Sequence, residues 1–206
     1  MNDGPASDAA QVDPEDRQVD PEALKALAHP LRVELFDRLA MYGPATASSL
    51  AKGLGETSGA TSYHLRQLAR HGFIEEDAGR GTARERWWRI AKGGLQLSAE
   101  HLEGDAAARE AGDLVTRQWL DLRARHADAF VRRGLAELGT PWVEASMLST
   151  APATLTAEEL EEVNRELLST LTALVDRYRD REAPEGARPV MFQVNGFPLV
   201  DAPGQA

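Results

Sequence analysis

Apolar positions recur at helical spacing through four short segments near the start of the chain and two long ones beyond them. Leu24, Leu27 and Ala28 make the first stripe, opened by Asp20 as an N-cap and Pro21 at the first helical position, and it runs to His29-Pro30. Pro30 opens a second helix whose Leu31, Leu35, Phe36 and Leu39 repeat until Gly43-Pro44 ends the pattern. Thr46 can cap a third over Ala47 to Leu54, stopped by Gly55, and Thr57 a fourth from Ser58 to about His71, before Gly72. Then the period shortens. Phe73-Ile74 reads as a strand, residues 78–82 as a flexible tip, and Arg84 to Ile90 as the returning strand. Period-two alternation turns Trp88 and Ile90 inward and Trp87 and Arg89 outward.

Gly93-Gly94 marks an expected boundary. Beyond it a long helix is predicted from about Asp105 to Leu138, with Val115, Trp119, Leu122, His126 and Phe130 on a stripe that needs a partner. Gly139-Thr140-Pro141 breaks it, and Thr156 with Glu159 forms a capping box for another helix. In that helix Leu160, Val163, Leu167, Leu171, Leu174 and Tyr178 alternate at three and four, a seam for helix packing. Val190 to Val194 is a candidate strand before Asn195-Gly196 and a Pro-containing tail. Met1 to Val19, rich in Asp, Ala, Gln and Pro, has almost no apolar periodicity and is expected to be a disordered acidic leader. The resulting expectation is a mainly α chain. A winged helix-turn-helix domain with a two-stranded wing spans residues 20–92, and a helical extension over 93–206 dimerises and is the candidate sensing region.

With 42% hydrophobic residues the 206-residue chain can build a packed core. It has no cysteine, so disulfides, thiolate metal sites and cysteine nucleophiles are excluded. No signal-peptide core or membrane-length apolar run is present, and the expected location is the cytoplasm. A net charge of −10 argues superficially against nucleic acid, but its distribution argues otherwise. Residues 1–20 carry one basic and six acidic side chains (−5), residues 21–92 eleven and eight (+3), and residues 93–206 eleven and nineteen (−8). Only the middle can offer phosphate an attractive field.

Projected at about 100° per residue, the fourth helix separates into two faces. Thr61, Leu65 and Leu68 fall together with His64 at their edge; Gly59, Ser62, Tyr63, Arg66 and Arg70 fall opposite, flanked by Ser58 and Gln67. The second face suits a DNA major groove: Ser58 and Gly59 let backbone amides and the positive helix end approach phosphate, and Ser62, Tyr63 and Arg66 can reach base edges. Arg80 and Arg84 are candidate wing contacts to the minor groove or its phosphates.

Three segments carry a resemblance: Leu-Lys-Ala-Leu-Ala-His-Pro-Leu-Arg-Val (24–33), Thr-Ser-Gly-Ala-Thr-Ser-Tyr-His-Leu-Arg-Gln-Leu (57–68) and Arg-Glu-Arg-Trp-Trp-Arg (84–89). Over about residues 20–92 the chain resembles the ArsR-type winged-helix regulators, and its long extension is similar in outline to their larger actinobacterial-type members. The resemblance implies a homodimer on a two-fold symmetric operator, usually repressing transcription, with the recognition face at Ser58, Gly59, Ser62, Tyr63 and Arg66.

Other chemistries fit less well. Relatives that sense metals use cysteines near the third helix, or His and carboxylates on a dimer helix. Here Ala47 to Ala51 holds no ligand, and Asp121 and His126 lie five apart, poor spacing for one helical face. No metal or other cofactor is expected. No nucleophile elbow or phosphate loop surrounds any Ser, His or Asp, so no enzyme is expected. Glu158-Glu159 and Glu161-Glu162 fit a helix start and a solvent face, and His64 a packed, hydrogen-bonded histidine. Trp119, Phe130, Trp142, Met147 and Phe192 serve either core packing, the preferred reading, or a small-molecule effector pocket. The leading rival function is a winged-helix protein-interaction module that no longer binds DNA.

Overall fold

The computed structural model describes residues 17–18, 20–80, 85–91, 95–96, 105–179 and 181–200. The chain divides into two compact units parted between Gly139 and Thr140.

In the first unit, local chemistry sets each helix start. Asp20 Oδ1 accepts the Ala23 amide at 2.7 Å to open α1 (Pro21–Leu27). The cap of α2 (Pro30–Tyr42) is His29, whose Nδ1 accepts the Leu31 amide at 3.2 Å. α3 (Ala47–Leu54) begins with a reciprocal box, Thr46 Oγ1 accepting from the Ser49 amide at 3.2 Å and Ser49 Oγ from the Thr46 amide at 3.1 Å. It ends at Gly55, whose φ of 71° is the left-handed conformation that glycine adopts without a Cβ clash. Thr57 then caps α4 (Ser58–Arg70) through the Ala60 amide at 3.2 Å.

The wing pairs β3 (Ile74–Glu76) antiparallel with β4 (Trp87–Ile90), in the register Ile74 to Ile90 and Glu76 to Trp88. A third strand joins them. β2 (Ala45–Thr46) lies on the other edge of β4, Ala45 opposite Trp88 and Thr46 opposite Trp87, so the sheet order is β2-β4-β3. The expected two-stranded hairpin thus has an additional edge, immediately before α3. β1 (Arg17–Gln18) pairs in parallel with β5 (Leu95–Gln96), so the end of the expected leader takes part in a ladder; its other residues lie outside those described.

Leu24 and Leu27 of α1, Val33, Leu35 and Leu39 of α2, Leu65 and Leu68 of α4, and Ile74 and Trp88 of the sheet bury together. Each such leucine contributes about 1.5–3 kcal/mol over its exposed state. α5 (Ala106–Leu138) supplies the last wall, packing on α1 and α2. Ala108 and Ala111 permit close approach, Val115 and Leu122 fill the contact, and Trp119 meets Phe36 with ring centroids 6.1 Å apart. Of the stripe foreseen on this helix, Val115, Trp119 and Leu122 therefore find a partner within their own unit, whereas His126 and Phe130 lie outside that core and are half-exposed. Two polar links flank it: Lys25 Nζ to Asp105 Oδ2 at 2.8 Å, and Arg123 Nη1 to the buried Asp37 Oδ1 at 3.9 Å.

The second unit holds α6 (Thr140–Glu144), a short helix the sequence pattern did not announce, and α7 (Ala157–Arg179). α7 starts with the expected capping box: the Thr156 amide donates to Glu159 Oε2 at 2.7 Å, and the Glu159 amide to Thr156 Oγ1 at 3.2 Å. Those bonds hold the Glu159 carboxyl below its ordinary pKa. Val190 to Val194 is not a strand, contrary to expectation. The segment is rich in strand-forming residues, but no second strand pairs with it among the described residues, and an unladdered segment stays irregular. Asn164 Nδ2 donates to the Gly196 carbonyl at 3.2 Å, tying this tail to α7. Among the described residues no helix is long and apolar enough to cross a membrane.

Candidate nucleic-acid interface

The two faces of α4 separate as its periodicity requires. Thr61, Leu65 and Leu68 are buried, whereas Ser58, Gly59, Tyr63, Arg66 and Arg70 are exposed, with Ser62 and Gln67 half-exposed beside them. The first intrahelical bond runs from the Thr61 amide to the Thr57 carbonyl, so the Ser58 and Gly59 amides sit ahead of it at the positive helix end. A Cβ built on Gly59 meets nothing within 4 Å. No neighbour in the chain demands glycine there; the open space lies toward whatever approaches from outside. Among the described residues neither Arg66 nor Arg70 is in an ion pair, so both charges remain available to an anionic partner.

The wing is electrically quieter. Arg80 is exposed on the turn after β3, its Nε 3.5 Å from Asp77 Oδ2, and Arg84 lies outside the described residues. Arg89 pairs with Glu75 across the ladder at 2.7 Å, and Arg86, which the sequence reading passed over, lies 3.7 Å from Glu76. Trp88 is buried with Ile90 packed on the core, as the alternation predicts, whereas Trp87, expected to point outward, is half-buried.

Behind α4 lies a group that periodicity alone did not reveal. His64 stacks on His29 with ring centroids 4.5 Å apart and meets Tyr63 edge-on at 5.2 Å. Its Nδ1 is buried without a hydrogen-bond partner among the described residues, so the expected hydrogen-bonded histidine is packed but unsatisfied there. Burial lowers the pKa of both rings; Arg32 lowers both further, His29 also lowers His64, and Glu56 opposes the shift at His64. Arg32 itself is pulled below its ordinary value by burial, against an opposing influence from Tyr63. It is a cation held just under the exposed face, and the only sequence cue was its place in the 24–33 segment.

The aromatic set considered for an effector is dispersed in role. Trp119 packs in the core, while Met147 and Phe192 are exposed.

A helix pair with a tight intervening turn, a packed inner face and an antiparallel ribbon following the second helix defines a winged helix-turn-helix domain. In agreement, the family described as helix-turn-helix domain matches residues 27–77, from the end of α1 to just past β3. No curated protein matches the chain. Among solved structures, HlyU from Vibrio cholerae N16961 is 24% identical over 38% of this chain and 74% of its own, with a TM-score of 0.29. The transcriptional regulator Tm0710 from Thermotoga maritima is 13% identical over 77% of this chain and 89% of its own, with a TM-score of 0.29. A disulfide-formed AbfR is 15% identical over 76% and 79%, with a TM-score of 0.26.

Proposed function

We propose that this chain is a sequence-specific DNA-binding transcriptional regulator of ArsR type, acting in the cytoplasm as a homodimeric repressor on a two-fold symmetric operator. The observation that carries the reading is the outer face of α4, where exposed Arg66 and Arg70, free of ion pairs among the described residues, accompany Tyr63 and an unobstructed Gly59. Ser58 and Gly59 amides hold phosphate; Ser62, Tyr63, Arg66 and Gln67 address base edges; Arg70, Arg80 and Arg84 add phosphate contacts. In this division of labour residues 20–92 read DNA, and residues 93–206 dimerise and offer any effector its place. The acidic remainder of the chain makes binding steeply salt-dependent and suppresses adventitious contacts.

The test is operator capture followed by titration at several salt concentrations. Arg66→Ala should weaken the specific complex by about 1–3 kcal/mol, whereas Arg80→Ala should weaken all duplexes alike and reduce the salt slope by about one. Equal affinity of both variants and the parent for the captured operator would overturn the reading. So would the absence of any salt-dependent DNA retention, which favours the protein-interaction alternative.

A further inference from the structure

α7 keeps an apolar stripe in the open. Val163, Leu167, Leu174 and Tyr178 are 40%, 47%, 45% and 59% exposed, although they lie along one side of a 23-residue helix. The tail is fastened to the same helix through Asn164 to Gly196, and these four side chains stay exposed. Their spacing is its own mirror image. About a midpoint between Thr170 and Leu171, Val163 maps onto Tyr178 and Leu167 onto Leu174.

Charge selects the direction. Residues 157–168 carry five carboxylates and one arginine (−4), and residues 169–179 carry one carboxylate and two arginines (+1). Two such helices side by side in parallel would set −4 against −4, whereas antiparallel they set −4 against +1 twice. We propose that α7 docks antiparallel on α7 of a second copy of this chain, about a two-fold axis passing between Thr170 and Leu171. Val163 then meets the second copy's Tyr178, and Leu167 its Leu174, in the alternating packing of an antiparallel helix pair. This rests on the homodimer reading above and gives it a surface, a direction and a register.

The cysteine-free sequence allows a clean test with the full chain. When Val163→Cys and Tyr178→Cys chains are mixed and oxidised, a disulfide should join the two kinds. Neither alone should cross-link, because like positions are then 15 residues, or about 22 Å, apart, beyond disulfide reach. Leu167→Glu with Leu174→Glu should sediment as a monomer, and Leu167→Glu with Leu174→Lys, which places opposite charges in register, should sediment as a dimer. A homodisulfide from Val163→Cys alone, or a monomeric parent at micromolar concentration, would overturn the pairing. A stable dimer of the double Glu variant that still binds operator would overturn it too, while leaving the regulator reading intact.

Discussion

The two compact units answer the same physical demand differently. In the unit ending at Gly139, the stripes of α1, α2 and α4 and the first half of the α5 stripe close over one core, although Leu120, Val131 and Leu135 of α5 remain exposed. In the unit from Thr140, the longest helix and the tail both leave large side chains in water, Phe192, Phe197 and Leu199 among them. The contrast teaches that one region closes a core of its own beneath a polar, cationic helix face, whereas the other contributes no described residue to a buried core and leaves its longest apolar stripe half-exposed.

The contrast can be broken most forcefully at Leu65, which is fully buried under α4. Leu65→Ala should cost about 2–5 kcal/mol in urea unfolding, whereas Leu174→Ala should leave the unfolding of the winged unit nearly unchanged and weaken self-association. Similar losses from both would erase the distinction. A smaller effect is expected at Arg123→Ala, which leaves the buried Asp37 carboxylate without its ion-pair partner; about 1–3 kcal/mol should be lost, and Asp37→Asn in the same chain should recover part of it.

Acid should touch the first unit through its histidine pair. An unfolded histidine titrates near 6.5, and both His29 and His64 lie lower in the fold. Below pH of about 6.5 the unfolded chain therefore binds protons that the folded chain refuses. The stabilisation is complete above that value and declines as pH falls through it toward the folded pKa values. Protonating His29 at Nδ1 also removes the acceptor that caps α2. Thermal scans between about pH 7 and pH 5 should show a falling midpoint, and His64→Gln should flatten the slope; an unchanged slope would remove His64 from this account. The smallest effect on stability belongs to Gly59→Ala, which should leave the melting temperature equal or slightly raised. On the reading proposed above its operator affinity should nevertheless drop, because the added methyl would stand where the duplex approaches.

The legible parts of this fold are those where one residue's chemistry decides an outcome. Asp20, Thr46, Thr57 and Gly55 set four helix boundaries locally, and the burial of Thr61, Leu65 and Leu68 follows from spacing alone. What escaped was decided at a distance. β2 is two residues long and exists because Trp87 and Trp88 arrive beside it; Val190 to Val194 has the composition of a strand and no ladder among the described residues. His29 as a cap was hidden by the proline after it. The exposure of the α4 face was legible in the same way, but the arginine and histidine pair behind it was not, since three separated segments meet there.

The short edge strand before α3 has a mechanical consequence. Thr46 pairs through its backbone with Trp87, at the end of the ladder farthest from the Ile74–Ile90 pair, and through its side chain it starts α3. The outer end of the ribbon and the first turn of α3 therefore share one residue. Bending the ribbon away from α3 would have to break the Thr46 ladder or its cap.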